Sequence, residues 1–451
     1  MKVDRYIFTF ALILGFLLPV SNNFAKDLIE APYVNIESVA FNSIDYNEEF
    51  FTDEDYISFI NEHIFLQPEF KYAAANRNEK RLLLRSANRE RFPILSGRVV
   101  NDEVLDRKID DLTSIRKRQD DSFDAVAEIR QSIFEGGKIN SQIRYADHEY
   151  DNSSIQISMT TSELILESNE IFISAMIYDY IYSYSINLLD KLMPLRDKMK
   201  SRVESGAIDP VQYAVFLARL NKFQSNIYDL EAKAKKSFAN YENTFNKKFV
   251  FKGFPKVLIN LNMDYINRDS FNLSLKENLY LSSLENVKIV RSDYLPKLGF
   301  QARYTKYDID QSEDESDIRG GIYLNFPIFD FGRGRSKVMA AKAKSNATKL
   351  DIEIERKYND VIENEILTVI ESSFKALNKL KDAFLDTKTQ RMIINDRILL
   401  TGFSPLSLVD ASENELIQLQ ILLETEAKLL SNYYSFLHHN QSLLSHFRLA
   451  M

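Results

Sequence analysis

The longest helical patterns in the chain occupy residues 138–204 and 335–401, and neither contains a glycine. Only 12 glycines and 10 prolines occur among the 451 residues, so helix breakers are scarce throughout. In the second stretch, apolar residues recur every three or four positions, which is the period of one helix face: Ile366, Ile370, Phe374, Leu377, Leu380 and Phe384. At 1.5 Å per residue, each stretch predicts a helix about 100 Å long, which favours a coiled-coil-like assembly over a compact globule.

Three landmarks occur twice in the same order: a proline that opens an alternating stretch, an Ile-Phe-acid segment that leads through glycine into a helix, and a Gly-to-Pro break. They lie at Pro93, Ser132–Lys138 and Gly206–Pro210 in the first half, and at Pro296, Pro327–Arg333 and Gly402–Pro405 in the second. We therefore predict two tandem copies of one unit, each ordered helix, strand, strand, long helix, helix. The copies span 53–248 and 272–451, their first helices cover 53–91 and 272–293, and 249–271 links them.

Composition excludes several classes of protein. The chain has no cysteine, so disulfide scaffolds, thiol catalysis and iron–sulfur sites are impossible. Its net charge is −8, from 57 basic and 65 acidic residues, which argues against binding nucleic acid through bulk positive charge. With 45% apolar and 27% charged residues, it has the composition of a folded protein.

The N-terminus has the pattern of a secretory signal peptide. Lys2 and Arg5 precede an apolar run at 7–20, and the small residue Ala25 follows. Because this run is shorter than the roughly 20 residues that span a membrane, we predict a cleaved signal at 1–25 rather than an anchor. Residues 26–52 are then expected to form a separate N-terminal segment.

Four stretches alternate between apolar and polar residues, as strands do. The clearest is the fourth, in which the apolar face is Ile318, Gly320, Ile322, Leu324, Phe326 and Ile328. The third alternates from Lys297 to Thr305, the second from Phe123 to Arg130, and the first, near Leu95 to Val104, is weaker. Two amphipathic hairpins over a soluble core would show this pattern, and so would membrane strands with the apolar side toward lipid.

Aromatic residues cluster at one end of the predicted strands, as in the interfacial belt of a membrane protein: Phe92, Phe134, Tyr294, Phe326, Phe329 and Phe331. Four strands cannot close a barrel, and lipid does not tolerate open sheet edges. Two chains would supply eight strands, whose interior side chains fill, whereas three chains would supply twelve and leave a passage. A membrane channel built from this chain is therefore expected to be a homotrimer.

Three segments resemble the TolC-like outer-membrane efflux proteins: 295–299 (LPKLG), 321–341 (GIYLNFPIFDFGRGRSKVMAA) and 402–411 (GFSPLSLVDA). The resemblance covers most of the mature chain and is most specific in the second half. It implies an α+β membrane protein, in which a trimeric twelve-stranded outer-membrane barrel continues into a long periplasmic α-helical barrel. It also implies that 26–52 is an N-terminal periplasmic segment and that the linker 249–271 lies at the periplasmic equatorial region. The helical pattern continues almost to Met451, so any C-terminal equatorial segment is expected to be very short.

The resemblance also implies a function, a location and partners. Such proteins are passive exit channels in the outer membrane of Gram-negative bacteria, with a large periplasmic part. They serve tripartite efflux or type I secretion systems, and a periplasmic adaptor connects them to an inner-membrane pump of the resistance-nodulation-division or ABC type. A pore-less periplasmic coiled-coil scaffold or adaptor is the alternative, although adaptors usually carry one helical hairpin with β-sandwich domains.

Two sets of residues are structural candidates. The Gly-to-Pro breaks are expected to be the far tips of the helical hairpins, which would touch the adaptor: Gly206, Asp209, Pro210, Gly402, Ser404 and Pro405. Glycines between strand and helix are expected to act as joints: Gly136, Gly137, Gly332 and Gly334.

The resemblance further implies a periplasmic gate, because acidic residues ring the closed entrance in that family. In the matching segment the first acidic position corresponds to Ser407, so only Asp410 keeps its charge, with Glu413 the next candidate. An Asp in the first turn of a helix is also favoured by the helix dipole, and both interpretations of Asp410 remain open.

We find no pattern of an enzyme. Gly332-Arg333-Gly334 lacks the third glycine and the βαβ setting of a phosphate loop, and no nucleophile motif occurs. The five histidines do not pair at metal-binding spacing. We therefore expect neither catalysis nor a cofactor.

Overall fold

A computed structural model describes residues 37–39, 41, 53–103, 105, 122–250, 253–255, 257–261, 269–310, 315–397 and 404–449. The predicted signal peptide lies outside these residues. Strands β1 to β6 span Glu37–Val39, Ile94–Asp102, Ser122–Glu135, Leu258–Asn260, Lys297–Lys306 and Ser316–Asn325. Helices α1 to α8 span Asp53–Ile64, Pro68–Arg89, Lys138–Glu204, Pro210–Phe245, Phe271–Ser292, Arg333–Arg397, Pro405–His439 and Leu443–His446.

One series of elements occurs twice along the chain. A helix of 22 residues, two strands, a helix of 67 residues and one of 36 make up α2–β2–β3–α3–α4. The second series, α5–β5–β6–α6–α7, has helices of 22, 65 and 35 residues. The two long helices therefore form where the glycine-free patterns predicted them.

The helices pack as neighbours in a row. Four helices lie side by side in the order α2, α3, α5, α6, and each contacts the next. After the turn at its end, α3 is followed by α4, which packs along it, and α7 packs along α6 in the same way. Helix α7 also packs on α3, so the core continues between the two halves. Ile370 and Phe384, from the predicted apolar stripe of α6, are buried there. Among the described residues, no helix has a run long and apolar enough to cross a membrane.

The four long strands form one antiparallel sheet in the order β2–β3–β5–β6. Directly paired residues lie on the same face, so the register shows which side chains share a side. One face is mainly apolar in every strand, with pairs such as Leu95↔Ile129 and Phe300↔Ile322. The opposite face carries Glu128↔Arg303 and Arg303↔Arg319. The predicted two-sided pattern is confirmed.

A bulge in β3 between Ser132 and Phe134 gives this strand one extra residue. The bulge returns Phe134 to the apolar face, where it pairs with Leu298. Phe134 is also one of the six clustered aromatic residues. All six lie close to the end of the sheet that joins the helices, because β2 and β5 begin there and β3 and β6 end there.

The predicted first helix, 53–91, is wrong as one element. The structure has α1 and α2 instead, separated at Phe65–Gln67. Pro68 occupies the first turn of α2, and Gln67 before it is extended, with φ −66° and ψ 139°. A proline lacks the N–H of a continuous helix and disfavours helical geometry in the preceding residue, so it starts α2 and ends α1.

The predicted helix to the C-terminus is also wrong. Helix α7 ends at His439, and Gln441 adopts a left-handed φ of 56°. The Ser442 amide donates to the Leu437 carbonyl at 2.7 Å, and the Gln441 amide to the His438 carbonyl at 3.0 Å. This pair of bonds is a Schellman motif, which usually uses glycine at the left-handed position. Because glutamine stands there, the break left no signal in the sequence.

The fourth strand is shorter than predicted, since β6 ends at Asn325 before Phe326 and Ile328. Pro327 cannot donate a hydrogen bond to a sheet, which explains the end. A second, two-stranded sheet pairs β1 with β4 and joins the N-terminal segment to the linker. Each of its strands has three residues, too few for an alternating pattern to be detected.

Candidate functional site

The first candidate tip is a sharp turn between α3 and α4. Gly206 has φ 75°, and its amide donates to the Val203 carbonyl at 2.9 Å, while the Ala207 amide donates to the Arg202 carbonyl at 2.8 Å. This is a Schellman end for α3. The Asp209 carboxylate then accepts from the Val211 amide at 2.8 Å and caps α4, whose first residue is Pro210.

The second candidate tip is described only on its α7 side. Ser404 caps α7 by accepting from the Leu406 amide at 3.3 Å, and Pro405 is the first helical residue. Gly402 lies outside the described residues, as does the rest of 398–403. Both returning helices therefore begin with a polar cap followed by proline, and the proline stands in the first turn as the Gly-to-Pro pattern predicted.

The three candidate gate residues lie on the first turns of α7, where two of them form ion pairs with α4. Asp410 is 3.8 Å from the Arg219 guanidinium, and both side chains are nearly half exposed. Glu413 is buried and lies 3.0 Å from the Lys222 ammonium. Ser407 is half-buried, and its amide donates to the Ser404 carbonyl.

The carboxylates of this segment are therefore not isolated negative charges. Asn226 of α4 also donates to Glu413 at 3.1 Å. A basic residue of α4 thus partly offsets the negative charge of Asp410 and that of Glu413. The sequence analysis considered α7 alone and did not include these partners. Since both side chains of the Asp410–Arg219 pair are exposed, salt and solvent weaken it more than the Lys222–Glu413 pair, in which the carboxylate is buried.

A third carboxylate, two residues further along α7 at Glu415, was missed by the sequence analysis. Glu415 has no exposed surface, and it accepts hydrogen bonds from the Arg391 guanidinium of α6 and the Tyr184 hydroxyl of α3. Burial raises the pKa of Tyr184 strongly, and the hydrogen bond to Glu415 adds to that rise. Glu415 thus ties three helices together by charge-assisted hydrogen bonds.

One signal could have found Glu415. It stands within the apolar stripe of α7, between the buried Leu408 and Leu419 at helical spacing. An acidic residue at such a position needs a partner, because an unpaired buried carboxylate is strongly unfavourable. The partners themselves, 24 and 231 positions away in the chain, could not be identified from this pattern.

The joint between β3 and α3 uses two left-handed glycines. Gly136 has φ 63° and Gly137 has φ 85°. A β-carbon on Gly136 would lie 2.8 Å from the Leu295 β-carbon and 3.3 Å from the Ser292 carbonyl, whereas one on Gly137 would meet nothing within 4 Å. Gly136 is thus required by both conformation and close packing, and Gly137 by conformation alone.

The joint between β6 and α6 is held by a carboxylate. Asp330 accepts from the Gly332 amide at 3.1 Å and from the Gly334 amide at 2.5 Å. Gly332 is left-handed at φ 83°, and Gly334 is buried against the Tyr294 ring, where a β-carbon would approach within 2.4 Å. All four predicted joint glycines therefore occupy positions that penalise other residues.

Within the described parts of the chain, no three His, Cys, Asp or Glu side chains come together as a metal site would require. The side chains assembled at the hairpin ends can carry charge and hold helices together.

Structure comparison finds proteins of the same fold over nearly the whole chain. The Campylobacter jejuni CmeC outer membrane channel matches with a TM-score of 0.73 and 12% identity, covering 91% of this chain and 93% of that one. The Neisseria gonorrhoeae MtrE outer membrane channel, in its open state, matches with a TM-score of 0.68 and 13% identity, covering 91% and 96%. The Vibrio cholerae outer membrane protein VceC matches with a TM-score of 0.68 and 12% identity, covering 87% and 96%.

No protein-family model and no curated protein matches the sequence itself. The similarity therefore lies in the arrangement of the helices and strands. The chain has the TolC-like fold of these outer-membrane channels, which confirms the resemblance at the level of the single-chain fold.

Proposed function

We propose that the chain is a passive outer-membrane channel of a tripartite efflux or type I secretion system in a Gram-negative bacterium. The observation that carries this proposal is one sheet, with an apolar and a charged face, joined to two helices about 100 Å long in the fold of known channels. The apolar face would contact lipid and the charged face would line the lumen. Most of the helical part would lie in the periplasm.

The assembly follows from the sheet edges. In the part of the chain that the structure describes, β2 and β6 each have one neighbouring strand, so each leaves an edge unpaired. Lipid does not tolerate unpaired edges, and pairing β6 of one chain with β2 of the next satisfies both. Three chains give the twelve-stranded barrel, and their helices give the continuous periplasmic α-helical barrel.

The remaining parts of the proposal concern the partners. The tips at Gly206–Pro210 and around Ser404 and Pro405 would contact a periplasmic adaptor. An inner-membrane pump of the resistance-nodulation-division or ABC type would supply the energy. The chain itself carries no phosphate-binding motif that could do so.

The first prediction tests the channel itself. The full chain, purified in mild detergent, should have the mass of a trimer by light scattering and should produce ion conductance in a planar bilayer. A monomer without conductance would instead support the alternative of a pore-less scaffold. Heat-denatured protein serves as the control for leakage caused by detergent.

The second prediction concerns the gate. If three Asp410 carboxylates converge on the axis, di- and trivalent cations on the periplasmic side should block the wild-type conductance, and Asp410→Ala should lose most of that block. Arg219→Ala should strengthen the block, because it removes the charge that lies 3.8 Å from Asp410.

Glu424→Ala is the matched control, since it removes a carboxylate of the same helix ten or more residues away. It should leave the block unchanged. If the cations block wild type and Asp410→Ala equally, Asp410 does not form the acidic ring of the entrance, and Glu413 is the next position to test.

The third prediction concerns the tips. A bulky charged residue at Gly206 or Gly402 should abolish export while the trimer remains intact, because the tips are far from the sheet that holds the chains together. Lys236→Glu, on an exposed position within α4, is the control for added charge. Export assays in cells and light scattering on the purified variants measure the two properties. If the Gly206 variant exports normally, the turn at Gly206–Pro210 does not contact the adaptor.

A further inference from the structure

A groove of about 730 Å³ lies where α5 and α6 approach the sheet. Arg291 of α5 and Tyr294, which follows this helix, line one wall, and Arg335 and Lys342 of α6 line the other. The segment 327–330, between β6 and α6, closes the end of the groove nearest the sheet. The groove is thus built from the same joint that Asp330 and Gly334 hold in shape.

The charge of the groove is strongly one-sided. Four cationic side chains and one carboxylate line it: Lys288, Arg291, Arg335, Lys342 and Asp330. Lys288 is bound to Glu285 at 2.7 Å, and Asp330 accepts backbone amides of the joint. The other three cations are exposed, and within the described residues none has a carboxylate at ion-pair distance. This set can bind an anion that no part of the described chain supplies.

The arrangement of these three cations suits a phosphate group. A guanidinium offers planar donors that match two oxygens of a phosphate, and Arg291 and Arg335 present two such groups from facing helices. Lys342 adds a third charge further along α6. A single carboxylate ligand would leave most of these donors unused.

The remaining surface of the groove is apolar, which a free anion would not require. Ile328 and Phe329 line it with 89% and 74% of their surface exposed. Phe331 is 91% exposed, and its ring stands edge-on to that of Phe329, with centroids 4.6 Å apart. A ligand with an anionic head and hydrocarbon chains fits both parts of the surface.

We propose that this groove binds the phosphate headgroup of an anionic phospholipid, with the acyl chains lying along the apolar face of the sheet. The inference rests on the outer-membrane placement proposed above, since the groove then lies at the level of the headgroups next to the periplasmic helices. The bound lipid would hold the strand-to-helix joint at a fixed depth in the membrane.

The experiment compares lipid binding by the full-length protein in detergent. Wild type is incubated with phosphatidylglycerol or with zwitterionic phosphatidylethanolamine, and bound lipid is counted by native mass spectrometry. The test variant is Arg291→Ala/Arg335→Ala/Lys342→Ala. The control is Lys337→Ala/Lys344→Ala/Lys349→Ala, which removes three exposed cations of α6 that do not line the groove.

We expect wild type and the control to prefer phosphatidylglycerol, and the test variant to bind it at least about tenfold more weakly. Equal binding by the test and control variants would overturn the site. If glycerol 3-phosphate competes as strongly as phosphatidylglycerol, the groove binds phosphate groups without preferring lipid. That result would contradict the proposal of a phospholipid ligand.

Planar-bilayer conductance separates this inference from the proposed function. The test variant should still conduct, because its three changes lie outside the lumen-facing sheet surface. Wild type that conducts without preferring phosphatidylglycerol would refute the groove alone. Wild type that neither conducts nor forms a trimer would refute the channel.

Discussion

Arg391→Ala should lower the free energy of unfolding by about 3–5 kcal/mol, because it leaves the carboxylate of Glu415 buried without its cation. Arg391 is 9% exposed and Glu415 is fully buried, so water cannot replace the lost guanidinium. The Tyr184 hydroxyl remains as a donor to Glu415, but it carries no charge. Thermal and denaturant unfolding of the purified protein measure the loss.

Two further variants make this test specific. Arg397→Ala, at an exposed position of the same helix, should change stability by less than about 0.5 kcal/mol. The double variant Arg391→Met/Glu415→Leu should recover much of the loss, because it removes both charges and keeps apolar volume between the helices. If Arg391→Ala behaves like Arg397→Ala, the ion pair does not stabilise the packing of α6 on α7.

Gly136→Ala should destabilise the chain far more than Gly137→Ala, although the two glycines are adjacent and both left-handed. Each substitution places a β-carbon at positive φ, which costs about 1–2 kcal/mol. At Gly136 the new β-carbon also lies 2.8 Å from that of Leu295, so the joint must shift, and overpacking adds about 1–3 kcal/mol.

The comparison is internally controlled, because Gly137 has open space where a β-carbon would stand. We expect reduced yield and a lower unfolding temperature for Gly136→Ala, with a smaller change for Gly137→Ala. Shortening Leu295 to Ala in the Gly136→Ala background should restore only a small part of the loss, because it removes the Cδ1 atom at 3.0 Å and keeps the β-carbon at 2.8 Å. Equal effects of the two glycine substitutions would show that backbone conformation alone sets the requirement.

The sequence analysis predicted the elements well wherever a long repeat of one period was present. The glycine-free stretch 138–204 is α3, and the stretch beginning at 335 is α6, which starts at Arg333. The break at Gly206–Pro210 has the predicted glycine and proline roles. The sequence analysis failed where a helix ends at a residue with little preference for the left-handed conformation, as at Gln441.

The candidate site was predicted less completely. The acidic first turns of α7 were identified, but their charges were treated as unpaired. The partners Arg219 and Lys222 lie on α4, and only the packing of α4 beside α7 brings them within ion-pair distance. Arg391 and Tyr184 were missed for the same reason.

By itself, the sequence determined the two long helices, the four long strands with their two-sided character, and the recurrence of one order of elements. These properties depend on residues within a few positions of each other, so a period of 3.6 or 2 is enough to reveal them. Only the tertiary structure decided which charges meet, such as Arg391 with Glu415, and which cations lack a carboxylate partner among the described residues, such as Arg335 in the groove. Those outcomes depend on the relative placement of helices joined by long stretches of chain, and no local period carries that information.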